Sequence, residues 1–346
     1  MSSNLIPIKA FLGKYYSELL YSADQEKYKN TGLDAFFEQR FYIQNNKAQM
    51  IVDPLVSGLV ISVVGNEIFV SKELYDHPGI VVTNSLESKN LTLNPRSLYN
   101  PETFQTVAYL ICQNHTTFQI IGEIDEPIYI KYKSDFETFY NSVIIFNINN
   151  NLDVEIVEEF ESNGALNSVT NYILNPGATL NLTTFYQNNI SALSLCYRNI
   201  ITHENSNFNH VLFGKGSANI IDENRLHTAS GVEAEFLGIV NSDNRDFHSI
   251  LYIEPLVQDY TVSVDYRNVK SGRSDVTFFP VILGQALDRE SATISVMEIT
   301  LEEIPFEKQE EEIKIFLADI IDRAILNRMI GVQRFYDNKT RFLYFL

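Results

Sequence analysis

The chain repeats short apolar runs between residues 143 and 301: VEIVEEF (154–160), ATLNLTTFY (178–186), LSLCYRNII (193–201), VEAEFLGIV (232–240) and VTFFPVIL (276–283). Each run has the length of a strand and is rich in β-branched and aromatic residues, and the breaks between runs carry Asn, Asp, Gly and Ser. No long helical pattern interrupts the series. A chain that alternates strand and turn this often builds a sheet-rich stack or solenoid.

The runs suggest a coil of two strands that recurs about every 20 residues. In the first run we expect Val154 and Ile156 to face the interior, and we expect Glu155 and Glu158 to face water. The many asparagines suit the left-handed backbone positions that the corners of such coils require.

Composition excludes several classes of function. The chain has 346 residues, 45% of them apolar, and a formal net charge of −18, which argues against binding to nucleic acid or to an anionic membrane surface. No apolar stretch reaches the length of a membrane span, and the N-terminus lacks the pattern of a signal peptide. The two cysteines, Cys112 and Cys196, are expected to be free, largely buried thiols in a reducing compartment. We therefore expect a cytoplasmic protein.

Three regions are predicted: a mixed α+β region with helical segments at 1–140, a β-helix core at 141–304 and a C-terminal helical region at 305–346. Within the first region we expect helices at 9–21 and 33–41, a hairpin in LVISVVGNEIFV (59–70) around Gly65-Asn66, a strand in GIVVTNSL (79–86), and a helix from Pro101.

The C-terminal region begins with an acidic helix, EKQEEEIKIFLADIIDRAILNRMI (307–330), whose acidic start and basic end suit the helix dipole. One apolar stripe follows its helical period. This stripe is either a face that docks a partner or a core-packing face that caps the end of the β-helix. Its members are the candidate partner-binding residues: Ile313, Phe316, Leu317, Ile320, Ile321 and Ala324.

The acidic cluster Glu158, Glu159 and Glu161 is predicted to be a solvated face. A carbohydrate-active enzyme would need these acids to converge with others, such as Asp243, Asp246 or Asp259.

His210, His227 and His248 could form a metal-binding ladder if they stacked on successive coils, but scattered histidines are the favoured interpretation. No catalytic fingerprint occurs, so we predict no catalytic, cofactor-binding or metal-binding residues.

Several segments, in order, resemble the SufB/SufD family of the SUF iron–sulfur cluster assembly system. ETFQTVAYLICQN (102–114) and FQIIGEIDEPIYI (118–130) resemble its helix and following strand, and NLDVEIVEEFESNG (151–164) resembles its entry into the β-helix. Later matches are NPGATLNLTTFYQ (175–187), the stretch at 216–243, and the stretch at 246–286 with His248, Pro255, Ser263 and Arg267.

The resemblance implies a right-handed parallel β-helix with flanking N-terminal and C-terminal helical segments. It also implies pairing with a SufB-like paralogue through the β-helix and docking of an ABC-type ATPase through the C-terminal helix, in a homo- or hetero-oligomer. The family's His- and Cys-bearing segment after the last coil has no counterpart here, since no Cys or His follows His248. A stably bound cofactor is therefore not expected, and an iron–sulfur cluster is expected only in complex with a partner.

The leading hypothesis is a non-enzymatic, SufD-like subunit of an iron–sulfur cluster assembly complex. One alternative is a structural β-helix protein of a virion or other large assembly. Another is a carbohydrate-active β-solenoid enzyme.

Overall fold

The computed structural model of the protein describes residues 6–7, 40–43, 50–64, 67–85, 108, 115–134, 138–188, 193–216, 219–243, 246–257, 259–271, 276–282, 292–300, 305–326, 329 and 332. The strands in the first part of the chain are β1 (Ile6–Pro7), β2 (Arg40–Ile43), β3 (Met50–Asp53), β4 (Val60–Val64), β5 (Glu67–Ser71), β6 (Ile80–Ser85) and β7 (His115–Ile120). The strands that follow are β8 (Ile128–Ser134), β9 (Thr138–Ile148), β10 (Asp153–Ser162), β11 (Ala165–Leu174), β12 (Thr179–Asn188), β13 (Leu193–Thr202), β14 (Asn207–Gly216), β15 (Asn219–Thr228), β16 (Val232–Asp243), β17 (Phe247–Pro255), β18 (Tyr260–Ser271), β19 (Val276–Ile282) and β20 (Ala292–Thr300). The helices are α1 (Lys72–Tyr75) and α2 (Phe306–Leu326).

From β8 onward, successive strands go alternately to two sheets, and each strand pairs in parallel with the next-but-one strand of the chain. The odd-numbered strands β9–β19 form one sheet and the even-numbered strands β8–β20 the other. This is a parallel β-helix, as predicted. The predicted coil length was wrong: Asp153 pairs with Thr179 and Thr179 with Asn207, so a coil takes 26 or 28 residues here. The apolar runs gave too short a period because each polar break is also part of a coil.

The interior of the β-helix is filled by alternate residues of both sheets, mostly aliphatic and aromatic. Rings stack along the axis: Tyr132 lies on Phe160 with centroids 4.4 Å apart, and Phe160 lies on Tyr186 at 4.8 Å. The same residue position in successive coils is thus occupied by an aromatic ring, which gives each coil a large apolar contact with its neighbour.

One corner of the coils alternates asparagine and glycine. Asn151, Gly177, Asn205 and Gly231 occupy equivalent turns of successive coils and have φ angles of 58°, 72°, 55° and 69°. This left-handed conformation is tolerated by asparagine and glycine better than by other residues. The prediction that asparagines occupy left-handed corners is confirmed at Asn151 and Asn205.

The N-terminal part confirms some predictions and corrects one. β4 and β5 form the predicted antiparallel hairpin, and β6 is the strand predicted from GIVVTNSL. The helix predicted at 33–41 is wrong at its end, since Arg40 and Phe41 belong to β2. The helix predicted at 9–21 lies outside the described residues, as does the helix from Pro101 apart from Ala108, which is helical.

Candidate functional site

The C-terminal helix α2 lies across the outer surface of the sheet formed by the even-numbered strands. Four side chains of this helix are at most 1% exposed: Leu317, Ile320, Ile321 and Ala324. They pack on a patch of outward-facing side chains, which we call the helix seat: Val157 of β10, Phe185 of β12, Val211 and Phe213 of β14, and Leu237 and Ile239 of β16. Burial of apolar side chains on both sides of this contact stabilises the docked helix by about 1.5–3 kcal/mol per large side chain.

The helix seat follows from the register of the coils. Val211 pairs with Leu237 and Phe213 with Ile239, so two outward positions stay apolar from coil to coil. Phe185 and Phe213 stack with centroids 5.2 Å apart. On β18 the same two rows continue as Asp265 and Arg267, so the apolar patch ends at an ion pair.

Five charged side chains tie α2 to the sheet at that border. Arg323 of α2 donates to Glu235 of β16 at 2.8 Å and to Asp265 of β18 at 2.6 Å. Arg267 of β18 contacts Asp265 at 3.1 Å and also pairs with Asp319 of α2. We call this series the ionic chain: Asp319–Arg267–Asp265–Arg323–Glu235. Burial favours the neutral form of Arg323, but its hydrogen bonds and charge interactions with Glu235 and Asp265 outweigh burial and raise the pKa of the guanidinium.

The opposite side of α2 is exposed and mixes acidic with aliphatic side chains. Ile315 is 57% exposed and Leu326 is 80% exposed. We call this surface the outer face of α2, and its described members are Lys308, Glu311, Ile315, Ala318, Asp319, Asp322 and Leu326. This surface is the one that the docked helix leaves open to solvent.

The predicted partner-binding stripe is therefore placed on the packed side of the helix. Leu317, Ile320, Ile321 and Ala324 contact the helix seat, which agrees with the core-packing alternative, and while the helix is seated they cannot contact a partner. The side chains of Ile313 and Phe316 lie outside the described residues. The stripe also packs on the side of the β-helix, whereas the sequence interpretation considered a cap on its end.

A second cluster of functional interest lies inside the β-helix. Arg198 of β13 is 1% exposed and points into the interior, where its Nε donates to Glu158 Oε2 at 2.7 Å. It also pairs with Asp222 of β15. Further hydrogen bonds come from Tyr172 to Glu158 at 2.7 Å and from Tyr186 to Asp222 at 2.5 Å. We call this cluster the interior ionic network.

Burial and neighbouring charges shift the pKa values of several side chains in and beside this network. Burial raises the pKa of Tyr172 and Tyr186 well above the usual range, so both phenols stay neutral donors. Burial alone would raise the pKa of Asp222, but Arg198 and other partners outweigh it and lower the pKa. Burial lowers the pKa of His210 to about 3, so its imidazole is neutral at pH 7. Its Nε2 lies 3.0 Å from Thr184 Oγ1, which in turn donates to Glu158.

The prediction that the acidic cluster is a solvated face was wrong for two of its residues. Strict alternation from Val154 places Glu158 inward, where it is 0% exposed, and Glu159 is only 7% exposed. Glu161 is half exposed and lies 3.8 Å from Lys133, as expected of a surface carboxylate. The sequence analysis did not follow the alternation past Val157. This apolar residue faces outward, and α2 covers it.

The histidines do not form a ladder. His210 faces the interior from β14, whereas His227 and His248 belong to β15 and β17, where His248 pairs with Ile221 and His227 with Glu254. Within the part of the chain that the structure describes, no three His, Cys, Asp or Glu side chains converge in a way that could hold a metal ion.

Cys196 is a free, buried thiol, as predicted, while Cys112 lies outside the described residues. Burial raises the pKa of the Cys196 thiol to about 12, so it is protonated and unreactive at neutral pH.

The architecture defines a parallel β-solenoid protein of about five turns with a helix bound to its side. Residues 130–283, a little under half of the chain, match the model of the SufBD core domain of the SUF system for iron–sulfur cluster assembly. The β-helix core is thus similar to the core domain of the SufB/SufD family, whose model carries a role in iron–sulfur cluster assembly. Members of the family are generally non-catalytic scaffold subunits. A search of curated proteins found no match.

Neither helix in the described ranges has the length and apolar character needed to cross a membrane.

The ionic chain and the interior network were missed by sequence reasoning. A signal for the helix seat was present, because outward apolar residues recur at the coil period of 26 or 28 residues. The assumed period of about 20 hid it. Arg323 was interpreted only through the helix dipole.

Proposed function

We propose that the chain is a non-enzymatic, SufD-like subunit of a cytoplasmic iron–sulfur cluster assembly complex. It pairs with a SufB-like paralogue through the β-helix and docks the SUF ABC-type ATPase through the outer face of α2. An iron–sulfur cluster would be held only together with a partner. The observation that carries the proposal is the match of residues 130–283, which span the β-helix, to the SufBD core domain.

The arrangement of α2 supports the docking surface. The helix is anchored through its apolar stripe, so the side that remains available to a partner is the outer face with Ile315 and Leu326. The acidic residues around Ile315 fit a partner surface in which basic side chains surround an apolar depression, since opposite charges direct association and set its orientation.

The interior network weighs against the enzymatic alternative. A glycosidase needs two carboxylates that face a substrate cleft. Glu158 is instead fully buried inside the β-helix and held by Arg198, so the acid that the sequence singled out cannot reach a bound sugar.

The proposal is tested by co-expressing the tagged chain with the SUF ATPase and the SufB-like paralogue and measuring what co-purifies. We expect both partners to be recovered with the natural chain. Ile315→Asp should abolish recovery of the ATPase, keep the paralogue and change the melting temperature little. Leu55→Asp is the matched control, because Leu55 is a 92% exposed aliphatic residue between β3 and β4. Failure to recover the ATPase with the natural chain would contradict the proposal.

A further inference from the structure

Asp319 belongs to two surfaces at once. It is a member of the outer face of α2, and it is also the end of the ionic chain through its pair with Arg267. Its side chain is 49% exposed, whereas those of the other four members are between 12% and 29% exposed. Within the ionic chain, the Asp319–Arg267 pair is therefore the contact that is most open to a partner.

We propose that Asp319 is a shared carboxylate through which partner binding is coupled to the seating of α2: a basic side chain of the docked partner takes Asp319 from Arg267. This inference rests on the proposed docking of the ATPase at the outer face. The partner group is a Lys or Arg side chain, because three of the described charged residues of the outer face are acidic (Glu311, Asp319 and Asp322) and one, Lys308, is basic.

Moving Asp319 from Arg267 to the partner costs little free energy, because Arg267 keeps a second ion pair. Its Nη2 lies 3.1 Å and its Nε 3.4 Å from the carboxylate of Asp265, so this pairing remains after Asp319 leaves. Asp265 also accepts from Arg323 Nη1 at 2.6 Å. A stronger hold of Arg267 on Asp265 weakens the hold of Asp265 on Arg323, so the change at Asp319 passes along the ionic chain to the second tie of the helix.

Coupling between two sites is reciprocal. If the partner and Arg267 compete for Asp319, removing Arg267 must strengthen partner binding, and partner binding must loosen α2. For a partly exposed ion pair of this kind the effect is about 2- to 5-fold in affinity.

The test measures the dissociation constant of the SUF ATPase for the natural full chain and for four variants. Arg267→Gln is expected to bind about 2- to 5-fold more tightly than the natural chain and Asp319→Asn more weakly. Arg267→Lys, which keeps the competing charge, should restore the natural affinity. Leu317→Ala is the control, since it loosens α2 at the helix seat without removing a member of the ionic chain. A helix that binds better merely because it is loose would show the same gain in Leu317→Ala as in Arg267→Gln.

A measurement without the partner keeps the two proposals distinguishable. Amide hydrogen exchange of α2 should rise in Asp319→Asn, and the double variant should exchange like Arg267→Gln alone, because the Asp319–Arg267 pair is already broken there. Independent, additive effects would overturn the shared-carboxylate inference.

The binding data then decide between the proposals. If the ATPase binds the natural chain and Arg267→Gln equally well, the coupling is wrong and the docking stands. If the ATPase does not bind at all, the proposed function fails and the coupling with it, and the Asp319–Arg267 pair is then only a stabilising contact.

Discussion

Arg198 reaches across the interior of the β-helix to Glu158, 40 residues earlier in the chain, and places its Nε 2.7 Å and its Nη2 2.6 Å from Glu158 Oε2. The two residues belong to opposite sheets and are both within 1% of full burial. A buried pair of this kind is costly to form, but it is much more costly to break, because the remaining charge has no water to solvate it. The interior of this β-helix is therefore held by a few specific polar contacts as well as by its stacked rings.

Replacing Arg198 tests that conclusion. Arg198→Met keeps an unbranched, flexible side chain but leaves Glu158 and Asp222 without their cation, so we expect a loss of about 3–5 kcal/mol in the free energy of unfolding by urea. Lys133→Met is the control, since it removes the Lys133–Glu161 pair at the surface and should cost about 0–1 kcal/mol. Similar losses in both variants would show that the interior network contributes no more than a surface ion pair.

The buried imidazole of His210 predicts how stability depends on pH. Because burial lowers its pKa in the folded protein to about 3, the unfolded chain takes up a proton below pH 6.5 that the folded protein does not. The stability is therefore fully present above pH 6.5, and it falls by up to about 1.4 kcal/mol for each pH unit below it. His210→Gln should flatten the curve of unfolding free energy against pH between about 6.5 and 4.

Below about pH 4, the unfolding free energy of His210→Gln should still fall as the pH falls. The lowered pKa of Asp222 gives stability that is present above the ordinary value of 3.8 and is lost as the pH falls below it, and Arg198, which lowers this pKa more than His210 does, is kept in His210→Gln. An unchanged slope in His210→Gln would mean that His210 is protonated inside the fold.

The alternating corner predicts a difference between two glycines. Gly177 and Gly58 both have positive φ, at 72° and 81°. A Cβ on Gly177 would collide with the side-chain amide of Asn151 in the preceding coil, whereas a Cβ on Gly58 meets nothing within 4 Å. Gly58→Ala should therefore cost only the backbone strain of about 1–2 kcal/mol. Gly177→Ala should cost a further ~1–3 kcal/mol by thermal or urea unfolding. Equal losses of unfolding free energy in the two variants would show that the coils can shift at this corner to make room for the added Cβ.

Two leucines of α2 form another matched pair. Leu317 is fully buried on the helix seat and Leu326 is 80% exposed. Leu317→Ala should destabilise the docked helix by about 2–5 kcal/mol and speed amide exchange along α2. Leu326→Ala should stay within about 0.5 kcal/mol of the natural chain. Faster exchange in Leu326→Ala than in Leu317→Ala would mean that the helix is seated on its other side.

The fold class could be predicted from the sequence because it depends on local signals. Strand-length runs such as ATLNLTTFY and left-handed corners such as Asn151 carry their structural meaning within a few residues. The terminal helix and its apolar stripe were likewise local, since the period of a helix can be recognised within three turns.

The site depends on distances that local patterns do not contain. Glu158 is inward only if alternation is followed strictly, and its partner Arg198 lies 40 residues away. A coil period of about 20 residues would have paired the wrong strands, so neither the Glu158–Arg198 pair nor the apolar rows of the helix seat could be found. The face of α2 that packs was visible as a stripe, but whether a stripe packs on its own chain or on a partner depends on the surface opposite it.

The most direct test of the central claim is light scattering coupled to size exclusion on a mixture of the purified chain, the SufB-like paralogue and the SUF ATPase. With the natural chain we expect one peak whose mass contains all three proteins. With Ile315→Asp we expect a peak that contains the paralogue but lacks the ATPase. If the natural chain elutes alone or only with copies of itself, docking and pairing are both contradicted, and the β-helix serves a different assembly.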